Sequence, residues 1–216
     1  METEVKLSFN NFDSLLSVAS SELFTEFITG DGPKSMTLEN YYLDTPDMKI
    51  LNRYGSVRKR IVSGEESYIE GTVKYGGGAA SGLHKRYEWN VRLEGDFSIE
   101  EFKNNVPSDG DPAELLDEVF EDVTTADLKP LCFNSFERTI YELDYFGSRI
   151  EACFDSGVIY NSDKSGSEDI CELELELIDG SEDDLIDLTE RIKSEFVCVP
   201  LDKSKFQRTL ELAKRG

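Results

Sequence analysis

The sequence predicts an α+β fold: a closed antiparallel β-barrel of about eight strands that forms a charged tunnel, with helices packed outside. The clearest strand is Cys171–Ile178, where Glu172, Glu174 and Glu176 share one face and three leucines share the other. The predicted helices carry apolar stripes, and only the apolar faces of the strands can cover them. The charged strand faces must then turn inward, which closure of the sheet permits.

Composition narrows the class of protein. The 216 residues are expected to form one domain, 1–216. The 45 acidic and 23 basic residues give a net charge of -22, which argues against a duplex nucleic acid or a membrane as partner. No apolar run approaches the ~18 residues of a membrane-spanning helix, and the first residues lack the pattern of a signal peptide. We therefore expect a cytoplasmic protein. Its four widely spaced cysteines are expected to be reduced and buried rather than to bind zinc.

The first part of the chain reads as a strand, a helix, a strand and a short helical turn. Residues 2–9 alternate charged and apolar side chains. Asp13 is placed to cap a helix whose apolar stripe reaches Ile28 and which ends at Gly30–Pro33. A strand over Lys34–Leu43 follows, and Asp47 is placed to cap the short helical segment after it.

The rest of the chain predicts further strands, an acidic helical cover and two C-terminal helices. The strands are predicted at Gly55–Val62, Ser67–Tyr75, Leu83–Leu93, Leu131–Leu143 and Ser148–Asp155, with a separate short strand at Gly157–Tyr160. Residues 94–127 predict helices on the outside, and Asn161–Asp169 predicts a polar loop. A helix capped by Ser181 is broken by Pro200, and Ser204 begins the last helix.

The charges on the inward faces are nearly balanced, although acids are about twice as common as bases in the whole chain. The inward candidates are Lys6, Arg58, Arg60, Lys74, Arg86, Arg92, Arg138 and Arg149 against Glu2, Glu4, Glu70, Glu88, Glu151, Asp155, Glu172, Glu174 and Glu176. Arginine and lysine on adjacent strands suit phosphate oxygens. Carboxylates on the first and last strands suit Mg²⁺ or Mn²⁺. Together they indicate phosphoryl transfer to water on a small polyphosphate.

These residues resemble the CYTH superfamily, the triphosphate tunnel metalloenzymes. The matching motifs are Glu2-x-Glu4-x-Lys6, Tyr41-Tyr42-Leu43-Asp44-Thr45, Arg58-x-Arg60, Thr72-Val73-Lys74, Leu83-His84-Lys85-Arg86-Tyr87-Glu88, Glu151-x-x-x-Asp155 and Glu172-x-Glu174-x-Glu176. The segments around Leu83 and Glu172 look most like the bacterial branch that hydrolyses inorganic triphosphate. That branch often carries a C-terminal helical partner domain, for which these residues have no counterpart, so the role of that domain stays outside the prediction.

The resemblance implies three sets of site residues. The implied catalytic residues are Lys6, Glu174 and Glu176. The implied substrate ligands are Lys6, Arg58, Arg60, Lys74, Arg86, Arg138 and Lys205. The implied metal ligands, for Mg²⁺ or Mn²⁺, are Glu2, Glu4, Asp155, Glu172, Glu174 and Glu176.

Several roles stay open at this point. For Arg92 and Arg149 a structural ion pair is as good an interpretation as a substrate contact. Lys205 and Arg208 lie on a terminal helix that closes one tunnel mouth or is an ordinary basic helix end. His84 is the single histidine, and either a general base or a structural role fits it.

The function implied by the resemblance is metal-dependent hydrolysis of tripolyphosphate to pyrophosphate and phosphate. The superfamily also implies nucleoside triphosphatase, thiamine triphosphatase and class IV adenylate cyclase activities as alternatives. A polyphosphate-binding module without turnover is the non-enzymatic alternative. The expected partner is a small triphosphate compound, and the sequence sets no oligomeric state.

Overall fold

A computed structural model describes residues 1–108, 110–160 and 166–214, in which nine strands form one antiparallel sheet. The strands are β1 Glu2–Phe9, β2 Ile28–Asp44, β3 Gly55–Gly64, β4 Tyr68–Ala80, β5 Leu83–Leu93, β6 Lys129–Tyr145, β7 Ser148–Tyr160, β8 Ser167–Asp179 and β9 Cys198–Pro200. The order is β5-β4-β3-β2-β6-β7-β8-β1-β9, and an additional pairing of β1 with β5 closes the first eight strands into a barrel. The predicted barrel is confirmed, with β9 as an extra strand.

The pairing of β1 fixes both the closure and the direction of its side chains. On one side Glu4 lies opposite Glu176, and Lys6 lies opposite Glu174. On the other side Glu2 lies opposite Arg86, while β9 pairs with the end of β1 beyond β5. Because paired residues share a face of the sheet, these charged residues lie on one face, which is the face that lines the lumen. Around the closed barrel, β3 and β8 are four strands apart in either direction and therefore lie opposite each other.

In the described parts of the chain, six helices and a short 3₁₀ turn cover the outside, and a seventh helix lies across one end of the barrel. The helices are α1 Phe12–Ala19, α2 Glu22–Thr25, α3 Lys49–Asn52, α4 Ile99–Asn105, α5 Leu115–Val119, α6 Glu182–Glu195 and α7 Lys205–Ala213. Leu173 and Leu175 of β8 are fully buried in a cluster with Leu15 of α1 and Leu188 of α6. A second outer cluster packs α3, α4 and α5 against β3, β4 and β5. The leucines of β8 thus face outward, as the alternation predicts.

Helix α7 closes one mouth of the barrel and packs against inward-facing side chains of the strands. Leu212 packs with Leu38, Phe136 and Ile170, which come from the inward faces of β2, β6 and β8. Thr209 accepts a hydrogen bond from the Asn134 amide (2.9 Å). These contacts bring the N-terminal turn of α7 into the lumen, so the prediction that every helix packs outside holds for α1 to α6 and not for α7.

The predicted helix from Asp13 to Ile28 is wrong, because the chain breaks at two serines. The Ser20 and Ser21 hydroxyls donate to the Leu16 and Val18 carbonyls, and Ser21 then caps α2. Such side-chain bonds compete with the continuing helix.

The ends of this region also differ from the prediction. Asn11, rather than Asp13, caps α1 by accepting from the Ser14 amide (2.8 Å). Ile28 begins β2, where it lies opposite Leu143, and Gly30–Pro33 forms a bulge in that strand instead of a helix end.

The side chain that satisfies the first amides of α3 is Asp44 rather than Asp47. The Asp44 carboxylate accepts from the amides of Ile50 and Leu51, both at 2.9 Å. Met48 occupies the N-cap position in a left-handed conformation and makes no side-chain cap. Asp44 is buried at the end of β2, so it satisfies amides that water does not reach.

Three strand predictions also need correction. Residues 157–160 continue β7 rather than forming a separate strand. Ser167–Asp169, predicted as loop, belong to β8, whereas residues 161–165 of that predicted loop lie outside the described residues. Pro200 ends β9, a strand that the sequence does not reveal because only three residues pair with β1.

The cysteines are reduced, as the sequence predicts. All four cysteines are free, and Cys132, Cys153 and Cys171 are buried. Within the described parts of the chain, no helix combines the length and the apolar character that crossing a membrane requires.

The outward leucines of β8 should carry much of the barrel's stability. Leu173→Ala should lower the free energy of unfolding by about 2 to 5 kcal/mol, because it leaves a cavity in a fully buried cluster. Ile178→Ala on the same strand, where 48% of the residue is exposed, should change it by less than about 1 kcal/mol. Urea denaturation measures both values, and equal losses would contradict the assigned faces.

Candidate active site

The lumen holds a cavity of about 200 Å³ that is lined mostly by charged side chains. This is smaller than the pockets that hold drug-sized ligands. Seven acids and seven bases line it, although acids outnumber bases 45 to 23 in the whole chain. These residues are Glu2, Glu4, Glu70, Glu88, Glu151, Glu174 and Glu176 with Lys6, Arg58, Arg60, Lys74, Arg86, Arg138 and Lys205. The predicted balance of charge is confirmed for the lining.

Three buried carboxylates near α7, which we call the inner carboxylates, are Asp155, Glu172 and Glu174. Lys205 Nζ lies 2.7 Å from Asp155, 2.7 Å from Glu172 and 2.8 Å from Glu174. Arg208, one turn further along α7, also pairs with Glu172. The first turn of α7 therefore supplies two of the cations for this end of the lumen.

Glu174 has two further cationic partners. Lys6 Nζ lies 2.5 Å from it, and Arg138, which also forks onto Asp155, donates to it at 2.5 Å. Burial alone would raise the pKa of Glu174, but Lys205, Lys6 and Arg138 together hold that pKa well below its ordinary value. Burial would likewise lower the pKa of Lys6, and Glu174 with Glu4 raises it instead. Glu174 and Lys6 are therefore both ionised.

The second group, which we call the outer carboxylates, comprises Glu2, Glu4, Glu88 and Glu176 on β1, β5 and β8. Arg86 lies 2.9 Å from Glu2 and 2.6 Å from Glu4. Lys74 lies 3.0 Å from Glu2 and also pairs with Glu88. Burial opposes ionisation of Glu88, but Lys74 and its other partners lower its pKa to about 2.

Glu176, like Glu151, lines the cavity without an ion pair to a described residue. It faces Glu4 on β1 and Glu151 on β7 across its two strand pairings. Burial, together with the nearby charges of Glu2 and Glu88, raises the pKa of Glu176 to about 8. The side chain thus marks a point of excess negative charge.

The opposite wall, on β3, has the reverse imbalance. Arg58 and Arg60 share one carboxylate, Glu70, at 3.5 and 3.8 Å. Burial and the charges of Arg58 and Arg138 lower the pKa of Arg60 to about 10. Arg58 donates to Thr72 (2.8 Å), but its buried Nε has no hydrogen-bond partner. An unsatisfied cationic donor beside the cavity suits an anion.

The remaining candidates have structural contacts. Arg92 and Arg149 are largely exposed and pair with Glu66 and Asp179, so neither lines the cavity. The ring of His84 lies 2.9 Å from the Leu201 carbonyl, and burial lowers its pKa. His84 therefore ties the segment that leads into α7 to β5.

One lumen contact was not found from the sequence. Asn40 is fully buried and accepts from Arg60 Nε (2.7 Å) while its amide donates to Asn134 (3.0 Å). Its alternation with Leu38 and Tyr42 along β2 is the signal that places it inward.

The arrangement and the chemistry of the lumen carboxylates decide whether a divalent metal fits. Among the described residues, no three His, Cys, Asp or Glu side chains are arranged to hold a metal ion. The predicted ligands nevertheless all face the lumen, and carboxylate oxygens are the donors that Mg²⁺ and Mn²⁺ prefer. Lysine and arginine side chains form ion pairs with the inner carboxylates, whereas Glu176 forms no ion pair with a described residue. The chemistry of the donors fits a divalent cation at the outer carboxylates.

The fold and its lining define an inverted barrel, apolar outside and charged inside, whose cavity suits a small charged ligand. The chain belongs to the CYTH family: the family model described as the CYTH domain matches residues 1–210.

Similar proteins include the inorganic triphosphatase of Haemophilus influenzae, which is 28% identical over 183 residues, covering 85% of this chain and 46% of that protein. The chain thus spans about half the length of this curated relative. A solved structure of a putative adenylyl cyclase from Hippeastrum, described as having a dominant triphosphatase activity, has a TM-score of 0.67 at 14% identity, covering 98% of this chain and 96% of that one. A putative adenylate cyclase from Bacillus halodurans has a TM-score of 0.55 at 20% identity, covering 96% and 98%. These two likenesses support the fold.

Glu176 should make the stability of the metal-free protein depend on pH. Its pKa rises from 4.5 to about 8 on folding, so between these pH values the folded state holds a proton that the unfolded state has lost. The contribution of Glu176 to the free energy of unfolding is therefore fully present below about pH 4.5 and is lost as the pH rises toward 8.

Glu176→Gln, which mimics the protonated acid, should equal the wild type near pH 4.5 and exceed it by several kcal/mol near pH 9, since one pKa unit is worth ~1.4 kcal/mol. Urea denaturation in EDTA across this range measures the difference, with the exposed Asp179→Asn as the matched control. A difference that does not change with pH would contradict the assignment.

Proposed function

We propose that this chain is a divalent-metal-dependent hydrolase that cleaves inorganic tripolyphosphate to pyrophosphate and phosphate. The observation that carries the proposal is the separation of unbalanced charge across the lumen. Arg58 and Arg60 on β3 share one carboxylate, and Glu176 on the opposite strand β8 forms no ion pair with the described residues. A polyphosphate against the first wall and a divalent cation against the second would complete both.

In this proposal, the basic side chains bind and orient the phosphate chain. Arg58 presents its unpartnered Nε, and Arg60 is held at its own Nε by Asn40. Arg86, Lys74 and Arg138 supply further positive charge around the same cavity. Orientation of the substrate and neutralisation of its charge account for most of the catalysis of phosphoryl transfer.

The metal ligands of the proposal are the predicted set Glu2, Glu4, Asp155, Glu172, Glu174 and Glu176. When bound, Mg²⁺ or Mn²⁺ would neutralise charge on the phosphoryl group and make water a better nucleophile. Glu176 would hold the cation or accept a proton from the water. Lys6 and Glu174, the other proposed catalytic residues, lie opposite each other on the neighbouring strands β1 and β8 and are in contact at 2.5 Å.

Three observations support inorganic tripolyphosphate as the substrate. The cavity is small, its lining is mainly charged, and the Haemophilus influenzae relative is an inorganic triphosphatase. A net charge of -22 supports a small metal-complexed substrate rather than duplex nucleic acid or an anionic membrane. We assign the protein to the cytoplasm as part of the same proposal.

Removing either side of the charge separation should abolish most of the hydrolysis. Arg58→Ala and Glu176→Gln should each lower kcat/KM for tripolyphosphate with Mg²⁺ or Mn²⁺ by about 100-fold or more, the usual loss when one group that stabilises transition-state charge is removed. Phosphate release measures the rate. Arg92→Ala is the control for the first variant because Arg92 is exposed, and Asp179→Asn is the control for the second. Wild-type rates in both site variants would refute the proposal.

A substrate panel separates the alternatives. We expect tripolyphosphate to be hydrolysed at a higher kcat/KM than ATP or thiamine triphosphate, with pyrophosphate accumulating as a product that is not cleaved further. Chromatography of the ATP reaction decides between phosphate release, which means hydrolysis, and pyrophosphate with cyclic AMP, which means cyclisation. Calorimetric binding of tripolyphosphate without turnover under any divalent metal would instead support a polyphosphate-binding module.

A further inference from the structure

We infer that Lys205 of α7 takes the place of a metal ion at the inner carboxylates, so that the free protein binds one divalent cation per chain, at the outer carboxylates. This inference rests on the proposed function and assigns its metal stoichiometry. It also gives Lys205 a role other than the substrate ligand that the resemblance implies, and of the metal ligands proposed above it retains Glu2, Glu4 and Glu176.

The geometry around Lys205 is that of a cation held by three ligands. Its Nζ lies 2.7 to 2.8 Å from an oxygen of Asp155, of Glu172 and of Glu174, and it donates a hydrogen bond to Glu174. Lys205 itself is 6% exposed, and Asp155 and Glu172 are fully buried. The ammonium thus takes the position that a cation bound by these three oxygens would occupy, and bringing a second cation into this buried region would be costly.

A count of charges supports the same conclusion. The inner carboxylates with Glu168, the partner of Arg208, carry four negative charges. Arg138, Lys205 and Arg208 supply three positive charges, and Lys6, which contacts Glu174 at 2.5 Å, supplies a fourth. The inner end is therefore neutral, and a divalent cation added there would remain unbalanced in a buried region.

The outer carboxylates, in contrast, carry more negative charge than their cationic partners balance. Glu2, Glu4, Glu88 and the ionised form of Glu176, which is the form that binds a cation, carry four negative charges. Arg86 and Lys74 supply two positive charges, which leaves a deficit of two. Lys6 lies 2.5 Å from Glu174 and 2.7 Å from Glu4, and it is counted with its nearer partner Glu174. On this count, a divalent cation would be compensated at Glu176 and its neighbours.

The position of Lys205 is built into the fold rather than left to a mobile side chain. Ser204 caps α7 by accepting from the Gln207 amide, and Gln207 accepts from the Ser204 amide in return. The preceding segment is tied to the barrel by the contact of His84 with the Leu201 carbonyl and by Asp202, which accepts from the Gly82 amide (2.6 Å). These contacts fix the first turn of α7 at the mouth of the lumen, with Lys205 pointing inward.

The test is the number of Mn²⁺ ions bound by the full chain without substrate, counted by calorimetry and by the loss of the free Mn²⁺ signal in electron paramagnetic resonance. About 0.15 M KCl screens weak binding to the acidic surface. We expect one ion for the wild type and two for Lys205→Met, which frees the inner carboxylates. Adding Glu172→Gln to Lys205→Met should return the count to one.

Three controls make the count decisive. Lys205→Arg keeps the positive charge and should bind one ion, and so should Lys203→Met, which removes an exposed lysine of the same segment that pairs with Glu211. Lys205→Gln repeats the main test in case the methionine variant does not fold, as judged by near-ultraviolet circular dichroism.

Two ions in the wild type would overturn the inference, because α7 would then yield its place to metal. One ion in folded Lys205→Met or Lys205→Gln would also overturn it. A wild type that binds no Mn²⁺ and releases no phosphate would refute the proposed function itself, which keeps the two failures distinct.

Discussion

The pairing of charges inside the barrel is the constraint on which the rest of the structure depends. Removing an ionised side chain from water costs several kcal/mol unless an opposite charge and hydrogen bonds replace the water. The lumen meets this condition with seven acids and seven bases in its lining, joined mainly across neighbouring strands. Because the lumen is polar, the apolar side chains must pack on the outside, which is why the helices cover the barrel instead of filling it.

The few charged groups whose pairing is incomplete are the groups that we propose bind the ligands. Among the described residues, Arg58 keeps an unpartnered donor, Arg60 shares a single carboxylate, and Glu176 has a raised pKa and no ion pair. A folded protein retains such groups at a cost in stability, so they mark the sites where a ligand compensates them. The two kinds of imbalance lie on opposite walls, which suits an anion and a cation bound side by side.

Helix α7 makes the two ends of the lumen different. Its cations neutralise the inner carboxylates, and its apolar side chains close that mouth with residues of β2, β6 and β8. The charges of the barrel strands alone would leave the inner end as acidic as the outer end. The helix thus decides which carboxylates stay available to a ligand.

The sequence by itself determined the barrel, the face of each strand and the identity of most lumen residues. Alternation at a period of two is a local property, so the inward position of Glu172, Glu174 and Glu176 could be read without knowing their neighbours. It did not determine where the first helix breaks, the cap at Asp44 or the pairing of β9, since these depend on short-range competition between side chains and backbone or on a distant strand.

Only the tertiary structure decided which charges meet. Lys205 and Glu172 are 33 positions apart in the sequence, and nothing in their local patterns joins them. Closure of the barrel and the docking of α7 bring them to 2.7 Å. Whether a lumen carboxylate is paired with lysine or left free is therefore a property of the folded chain, because an ion pair depends on distance in space and not on position in the sequence.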